Sequence, residues 1–274
     1  DIAKHQEEVF LFENIRFFPQ EELNDNRFAE ELSRMGEVYV NDAFSASHRE
    51  HASLSGLPKF LPSFFGLCME KEILALDNVF SRPVSPVVAI IGGSKISTKI
   101  QLLESLIRSV DKVIIGGAMA NTFLKATANN IGASLYETSC IDIASGIVNL
   151  AKSKNVKLVL PVDAKVSKKL GDFPTAKNKI LDEIEIDDMI LDLGIESSRI
   201  ILDEISDAKT VIWNGPLGAI EYKPFDQSTV SVAKELALRC KDKNSTVIVG
   251  GGDTIYGINI AGTYDDYTHV STGG

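Results

Sequence analysis

Thr246-Val-Ile-Val-Gly-Gly-Gly-Asp-Thr254 decides how the rest of the chain reads. Strand-type residues run into three glycines, and a carboxylate and a hydroxyl follow before a helical pattern. Glycine lets a backbone turn sharply and lets a ligand approach it closely. A helix that begins there directs free N–H groups at an anion in front of it. The same order recurs at Val87-Val-Ala-Ile-Ile91 before Gly92-Gly93, and at Lys112-Val-Ile-Ile115 before Gly116-Gly117. Strand ends that finish repeatedly in paired glycines predict one phosphate-accepting rim.

Working outward, residues 87–91, 112–115, 157–160, 210–213, 246–249 and 268–270 read as strands. Helical patterns separate them: Ile100, Leu103, Ile107 and Val110 make one face, and Val232, Leu236 and Cys240 make another. Mostly apolar strands alternating with helices imply an α/β fold whose parallel sheet is covered on both sides. Ligands of such sheets sit at the carboxyl ends of the strands, where the glycines are.

Towards the start the pattern is thinner. Glu8-Val-Phe-Leu-Phe12 and Val38-Tyr-Val40 read as short strands, residues 26–35 as a helix, and residues 57–66, with two prolines, as a break. A helix over 67–79 then meets Ser81-Arg-Pro-Val-Ser-Pro86, which is taken as the domain boundary. The expected organisation is a partial N-terminal domain (1–66), a hinge helix and linker (67–83), and a C-terminal nucleotide-binding domain (84–274). Two domains suit a 274-residue chain, since single cores stop growing near ~250–300 residues. The chain begins at Asp1 without a methionine and stops on Gly273-Gly274, so it is expected to be a piece of something longer.

Charge narrows the function. With 28 basic and 38 acidic residues the net charge is −10, which argues against an extended nucleic-acid footprint. An anionic substrate therefore needs a local basic pocket. Cys68, Cys140 and Cys240 are odd in number and far apart, which predicts neither a disulfide framework nor a cysteine-rich zinc site and suits a reducing compartment. No apolar run reaches membrane-spanning length, and nothing at the start reads as a signal peptide.

Neither G-x-x-x-x-G-K-S/T nor a G-x-G-x-x-G after a strand occurs, which disfavours an ordinary P-loop enzyme or a dinucleotide dehydrogenase. Lys95 and Lys99 stand four apart just after Gly92-Gly93, and on a helix start they would share a face. A solvated lysine pair is the plain alternative, but at a glycine rim two compact positive charges suit phosphate oxygens. Asp253 either caps the following helix or holds Mg²⁺ on a polyphosphate, since magnesium takes one or two carboxylates plus phosphate oxygens. His48 and His51 lack the companions of a zinc site. Arg49 beside His48, together with Arg16, reads instead as a pocket for a small anion, because the arginine fork binds phosphate or carboxylate at two points. Surface ion pairs are the alternative for each arginine taken singly.

Several stretches, taken in order, resemble the phosphoglycerate kinase family over nearly the whole chain. They are Glu13-Asn-Ile-Arg-Phe17, Val40-Asn-Asp-Ala-Phe44 with His48-Arg49, Gly92-Gly-Ser-Lys-Ile-Ser-Thr-Lys99, Trp213-Asn-Gly-Pro-Leu-Gly218, Gly250-Gly-Gly-Asp-Thr254 and Ser271-Thr-Gly-Gly274. The resemblance implies two hinged Rossmann-like domains with parallel sheets, the first of them incomplete here. It implies reversible phosphoryl transfer between 1,3-bisphosphoglycerate and ADP, giving 3-phosphoglycerate and ATP, by a cytoplasmic, monomeric glycolytic enzyme with no nucleic-acid or membrane partner.

Carried over by position, Arg16 and Arg49 would bind the phosphoglycerate, with His48 nearby. Lys99, helped by Lys95, would contact the nucleotide phosphates and the transferring group. Gly92, Gly93, Asn214, Pro216, Gly250, Gly251, Gly252 and Thr254 would border the nucleotide. Gly116 and Gly117 would lie by the adenine, Glu221 would reach the ribose, and Asp253 would hold Mg²⁺. Gly273 and Gly274 would start a glycine-rich loop near the moving phosphoryl. The family's opening Asp-x-Asn and His-Leu-Gly-Arg stretches and its closing segment do not occur in these residues, so the chain is expected to be a fragment. Asp192-Leu-Gly-Ile-Glu196 stands where the family commonly shows Asp-Ile-Gly-Pro. A catalytically incomplete nucleotide-binding module is the alternative function.

Overall fold

The computed structural model describes residues 9–171 and 175–273. They divide into two compact units, one running to Leu76 and one from Asp77 to Thr272. No helix among the described residues is long and apolar enough to cross a membrane.

In the first unit, α1 (Pro19–Glu22) and α2 (Asn26–Ser33) precede a parallel pair, β1 (Tyr39–Asn41) and β2 (Ser63–Phe65), and α3 (Leu67–Phe80) runs on past Leu76. Asp25 starts α2 by accepting the Phe28 N–H at 2.9 Å, the expected work of an N-cap carboxylate. The buried Glu21 carboxylate is satisfied by Ser53 N (2.9 Å) and Ser53 Oγ (2.6 Å), with His51 Nδ1 at 3.7 Å. The strand expected at the start is not formed over residues 9–12, and Glu8 lies outside the described residues. β1 pairs instead with β2, inside the stretch read as broken. Proline lacks a donor but is tolerated at the first residue of a strand, and here the Pro62 carbonyl accepts from Tyr39 N at 2.9 Å. Val40, Phe64 and Phe65 remain more than half exposed.

The second unit continues with β3 (Val87–Ile91), α4 (Ile100–Leu106), β4 (Lys112–Ile115), α5 (Met119–Ala126), α6 (Ile141–Ser153) and β5 (Lys157–Val159). Then come β6 (Asp163–Ser167), β7 (Lys177–Ile180), β8 (Met189–Leu193), α7 (Ile195–Ile205) and β9 (Thr210–Asn214). The unit closes with α8 (Gln227–Lys241), β10 (Thr246–Gly250), α9 (Gly252–Ile260) and β11 (His269–Val270). All the strands expected here enter one six-stranded parallel sheet in the order β11-β10-β9-β3-β4-β5.

Successive strand residues face opposite sides, and each side has its own core. Val87, Ala89 and Ile91 join Leu103, Ile107 and Phe123 on one face, while Val88 and Ile90 join Ile201, Trp213 and Leu236 on the other. Burial on both sides explains why β3 is apolar at every position. The chain leaves β3 towards β4 and β5, then returns to lay β9 on the opposite edge of β3 and builds on to β10 and β11. Strand order therefore reverses between β3 and β9, and such a reversal opens a crevice at the carboxyl ends of the strands.

A second, antiparallel sheet, in the order β7-β6-β8, was not expected from the sequence. Its central strand buries polar groups: Ser197 Oγ donates to Asp163, and Lys165 Nζ donates to Gln227 Oε1 and to the Pro224 carbonyl. The apolar residues it buries, Ala164 and Val166, form a small core with Leu124, Ile131, Leu181 and Ile184.

Candidate functional site

The crevice is closed at its base by glycine backbone. Gly92 N donates to Asn214 O (2.9 Å), Gly93 N to Pro216 O (2.9 Å) and Gly117 N to Leu217 O (3.0 Å). A Cβ at Gly92 would stand 2.0 Å from the Pro216 carbonyl oxygen, and one at Gly117 would stand 2.5 Å from that of Gly93. These glycines let the loops after β3, β4 and β9 touch one another. Gly92 and Gly116 are buried and Gly250 lines neither cavity, whereas Gly93, Gly117, Gly251 and Gly252 line open space.

That space has two parts. A cavity of 490 Å³ is lined by Lys95, Lys99, Asn214, the 251–252 glycines, Asp253 and Thr254. An adjoining cavity of 380 Å³ is walled largely by apolar groups, among them Ala118, Leu135, Met189 and Leu217, with Glu221 also in its wall. Gly93, Ser94, Pro216 and Asp253 line both.

Lys99 dominates the polar part. Its Nζ donates to Gly92 O (2.8 Å), Asn214 O (3.1 Å) and Asn214 Oδ1 (2.6 Å). Burial pushes its pKa down to about 8, and the nearby Asp253 charge offsets only part of that. Asp253 itself is exposed in the first turn of α9. Thr254 is buried, accepting from Gly215 N (2.6 Å) and donating to Gly250 O (2.8 Å), so it ties the loop after β9 to the end of β10. The expectation that Lys95 and Lys99 share a helix face is not met. α4 begins only at Ile100, and residues 94–99 form a loop ending in a turn in which Lys99 N bonds to Ile96 O (2.8 Å). A folded-back turn nonetheless brings both lysines to the same cavity.

Two buried polar residues of the apolar cavity were assigned no role from the sequence. Asn121, on α5, donates to the Leu135 carbonyl at 3.0 Å, while its Oδ1 is buried without a hydrogen-bond partner among the described residues. Asp192, at the end of β8, accepts from Leu193 N (2.9 Å), Ser228 N (3.2 Å) and Ser228 Oγ. Burial pushes its carboxyl up to about 7 against the pull of those bonds. An interior asparagine and an aspartate inside an apolar run leave no periodic signal.

The remaining expected residues lie elsewhere. Arg16, His48 and Arg49 are exposed in the first unit, and no hydrogen bond or ion pair joins them to one another among the described residues. Gly273 is half-buried and lines neither cavity, and Gly274 lies outside the described residues.

The crevice is thus floored by glycine backbone and has a lysine-lined part that opens onto an apolar part. The family model for phosphoglycerate kinase matches residues 2–274. The chain belongs to the phosphoglycerate kinase family. The phosphoglycerate kinase of Caulobacter vibrioides is 47% identical over 266 residues, covering 97% of this chain and 67% of its relative. That of Mesorhizobium japonicum is 45% identical over 272 residues, covering 99% and 68%. The structure of phosphoglycerate kinase from Coxiella burnetii superposes with a TM-score of 0.85 at 37% identity, covering 95% of this chain and 67% of that one. The chain thus spans about two thirds of the length of these phosphoglycerate kinases, and its function is that of a phosphotransferase of this family.

Proposed function

We propose that the paired cavities hold Mg-ADP or Mg-ATP, with the base in the apolar part and the polyphosphate in the polar part. The protein then transfers a phosphoryl group between 1,3-bisphosphoglycerate and ADP, giving 3-phosphoglycerate and ATP. The supporting observation is the shared boundary at Gly93, Ser94, Pro216 and Asp253, where an apolar site opens directly onto one lined by cations.

Phosphoryl transfer depends on positioning and charge stabilisation. Lys99 and Lys95 meet charge on the transferring oxygens, and the first N–H groups of α9, which have no partner within the helix, face the same space. The acceptor, a carboxylate of 3-phosphoglycerate, is already ionised at neutral pH and needs no general base. Asn214 orients Lys99 through two of its three bonds. Glu221, in the wall of the apolar cavity, is assigned to the ribose.

An exposed carboxylate beside the polyphosphate space fits Mg²⁺, which keeps few protein ligands and prefers phosphate oxygens. Asp253 would hold it. When bound, the ion supplies charge neutralisation across the phosphate oxygens. Arg16, Arg49 and His48 are assigned to the phosphoglycerate, and Gly273 with Gly274 to the neighbourhood of the moving phosphoryl. A cytoplasmic monomer whose two domains close over the substrates completes the proposal; free Cys68, Cys140 and Cys240 are in keeping with a reducing setting.

Calorimetry on Asp253→Asn tests the assignment. Affinity for Mg-ADP is expected to fall about tenfold or more, as loss of a charged ligand implies, while metal-free ADP binds nearly as before. Equal loss for both forms would make Asp253 a helix cap and remove it from the metal site.

A further inference from the structure

Leu135-Tyr-Glu137, between α5 and α6, is tied to the two cavities in different ways. Leu135 lines the apolar one. α5 grips the segment through Asn121 Nδ2 to Leu135 O (3.0 Å) and through Glu137 N, which donates to Thr122 Oγ1 (3.1 Å). Glu137 lines neither cavity. Its carboxylate accepts from Ser97 N (3.0 Å) and Ser97 Oγ (2.6 Å). Ser97 lies in the turn that ends the 94–99 loop, which carries Lys95 and Lys99 to the polar cavity.

A carboxylate behind an anion site acts against the anion electrostatically, so its presence calls for a geometric reason. The geometry supplies one. The turn lies outside any regular element; its backbone is held locally by Lys99 N to Ile96 O and Thr98 Oγ1 to Lys95 O, while the Lys99 side chain reaches Asn214. The two Ser97 bonds anchor it to a segment 40 residues away in sequence. Those bonds hold the Glu137 carboxyl below its ordinary range, with the Lys95 charge a smaller influence in the same direction, so the anchor is ionised at neutral pH.

We propose that Glu137 is a positioning residue for the phosphate end of the site. It holds the Ser97 turn from behind, so that Lys95 and Lys99 meet the polyphosphate already placed. This rests on the nucleotide reading above and extends it to a residue that touches no substrate. It also fixes a sign. If Glu137 acted only through its charge, removing it would tighten polyphosphate binding; if it acts through position, removing it weakens binding despite the lost repulsion.

The experiment is calorimetry on the 274-residue chain with three probes: ADP, inorganic tripolyphosphate and adenosine. For Glu137→Ala we expect tripolyphosphate and ADP to bind about tenfold more weakly, from the loss of two charge-assisted bonds, while adenosine is unchanged. Glu137→Gln, which keeps one acceptor, falls between. Ser97→Ala loses the hydroxyl bond alone and weakens tripolyphosphate by about threefold, and adds little in the Glu137→Ala background. Unchanged or tighter tripolyphosphate binding in Glu137→Ala overturns the proposal, as does an equal loss for adenosine, which would mark a general structural role. Should Glu137→Ala not fold, unchanged binding in Ser97→Ala overturns it equally. A wild-type chain that binds neither ADP nor tripolyphosphate removes the nucleotide reading itself, and Glu137 with it.

Discussion

Lys99 should take up a proton when nucleotide binds, by an amount that depends on pH in a way the structure fixes. In the free site its pKa is lowered from 10.5 to about 8 because burial disfavours the ammonium. Phosphate oxygens arriving beside Nζ supply the missing counter-charge and return the group towards its ordinary value. The neutral fraction before binding is about a tenth at pH 7, about half at pH 8 and about nine tenths at pH 9, and each is the proton uptake expected on ADP binding at that pH. The sign follows: affinity is flat below about pH 8 and falls by up to about tenfold per unit above it, since binding must then also protonate Lys99. Titration calorimetry in buffers of different ionisation enthalpy measures the proton number directly. Lys99→Met, with no group to charge, should bind more weakly throughout and take up nothing. Proton uptake near zero across this range, or equal uptake in Lys99→Met, would show that Nζ does not meet the phosphates.

Gly92→Ala should destabilise the second unit by about 2 kcal/mol or more in urea unfolding, because its Cβ would lie 2.0 Å from backbone oxygen. Gly252→Ala, where a Cβ meets nothing within 4 Å, should leave stability nearly unchanged and lower tripolyphosphate affinity instead. Asp192, raised to about 7 from 3.8, binds its proton more tightly folded than unfolded. Its contribution therefore makes stability fall as pH rises from about 4 to about 7. Asp192→Asn should flatten that slope in thermal unfolding across this range, and an unchanged slope would refute the assignment.

The parts of this fold that were legible share one property. The central strands of the six-stranded sheet are covered on both faces, so most residues in them are apolar and the run itself is the signal. β6 is buried too, but its inward groups include Asp163 and Lys165, hydrogen-bonded by Ser197, Gln227 and a carbonyl that arrive from far along the chain. Local sequence cannot show that a charge will be met. β2 was hidden for another reason, since Pro62 breaks a pattern yet suits a strand start whose neighbour needs only a carbonyl. At the site, Lys99, Asp253 and Thr254 were readable because each stands beside glycines at a strand end. The glycines themselves were half read. Gly93, Gly251 and Gly252 line open space as expected, but Gly92 and Gly117 also answer to other loops, and which loops meet is a property of strand order. Glu137 left no trace, because its partner Ser97 is 40 residues away.

The adjacency of β3 and β9 also bears on when the protein acquires its chemistry. The Nζ of Lys99 is held by Asn214, 115 residues further along, and Gly215 is pinned in turn by Thr254. Contacts of such separation form late, because chain closure has to precede them. During synthesis β3, β4 and β5 can associate as soon as they emerge, yet the lysine-lined cavity stays unbuilt until the ribosome has delivered Thr254 and α9. Nascent chains halted before that point should carry a partly formed sheet with no affinity for polyphosphate. On the proposed reading, a polyphosphate ligand stabilises only chains that extend past α9 and none of the shorter ones.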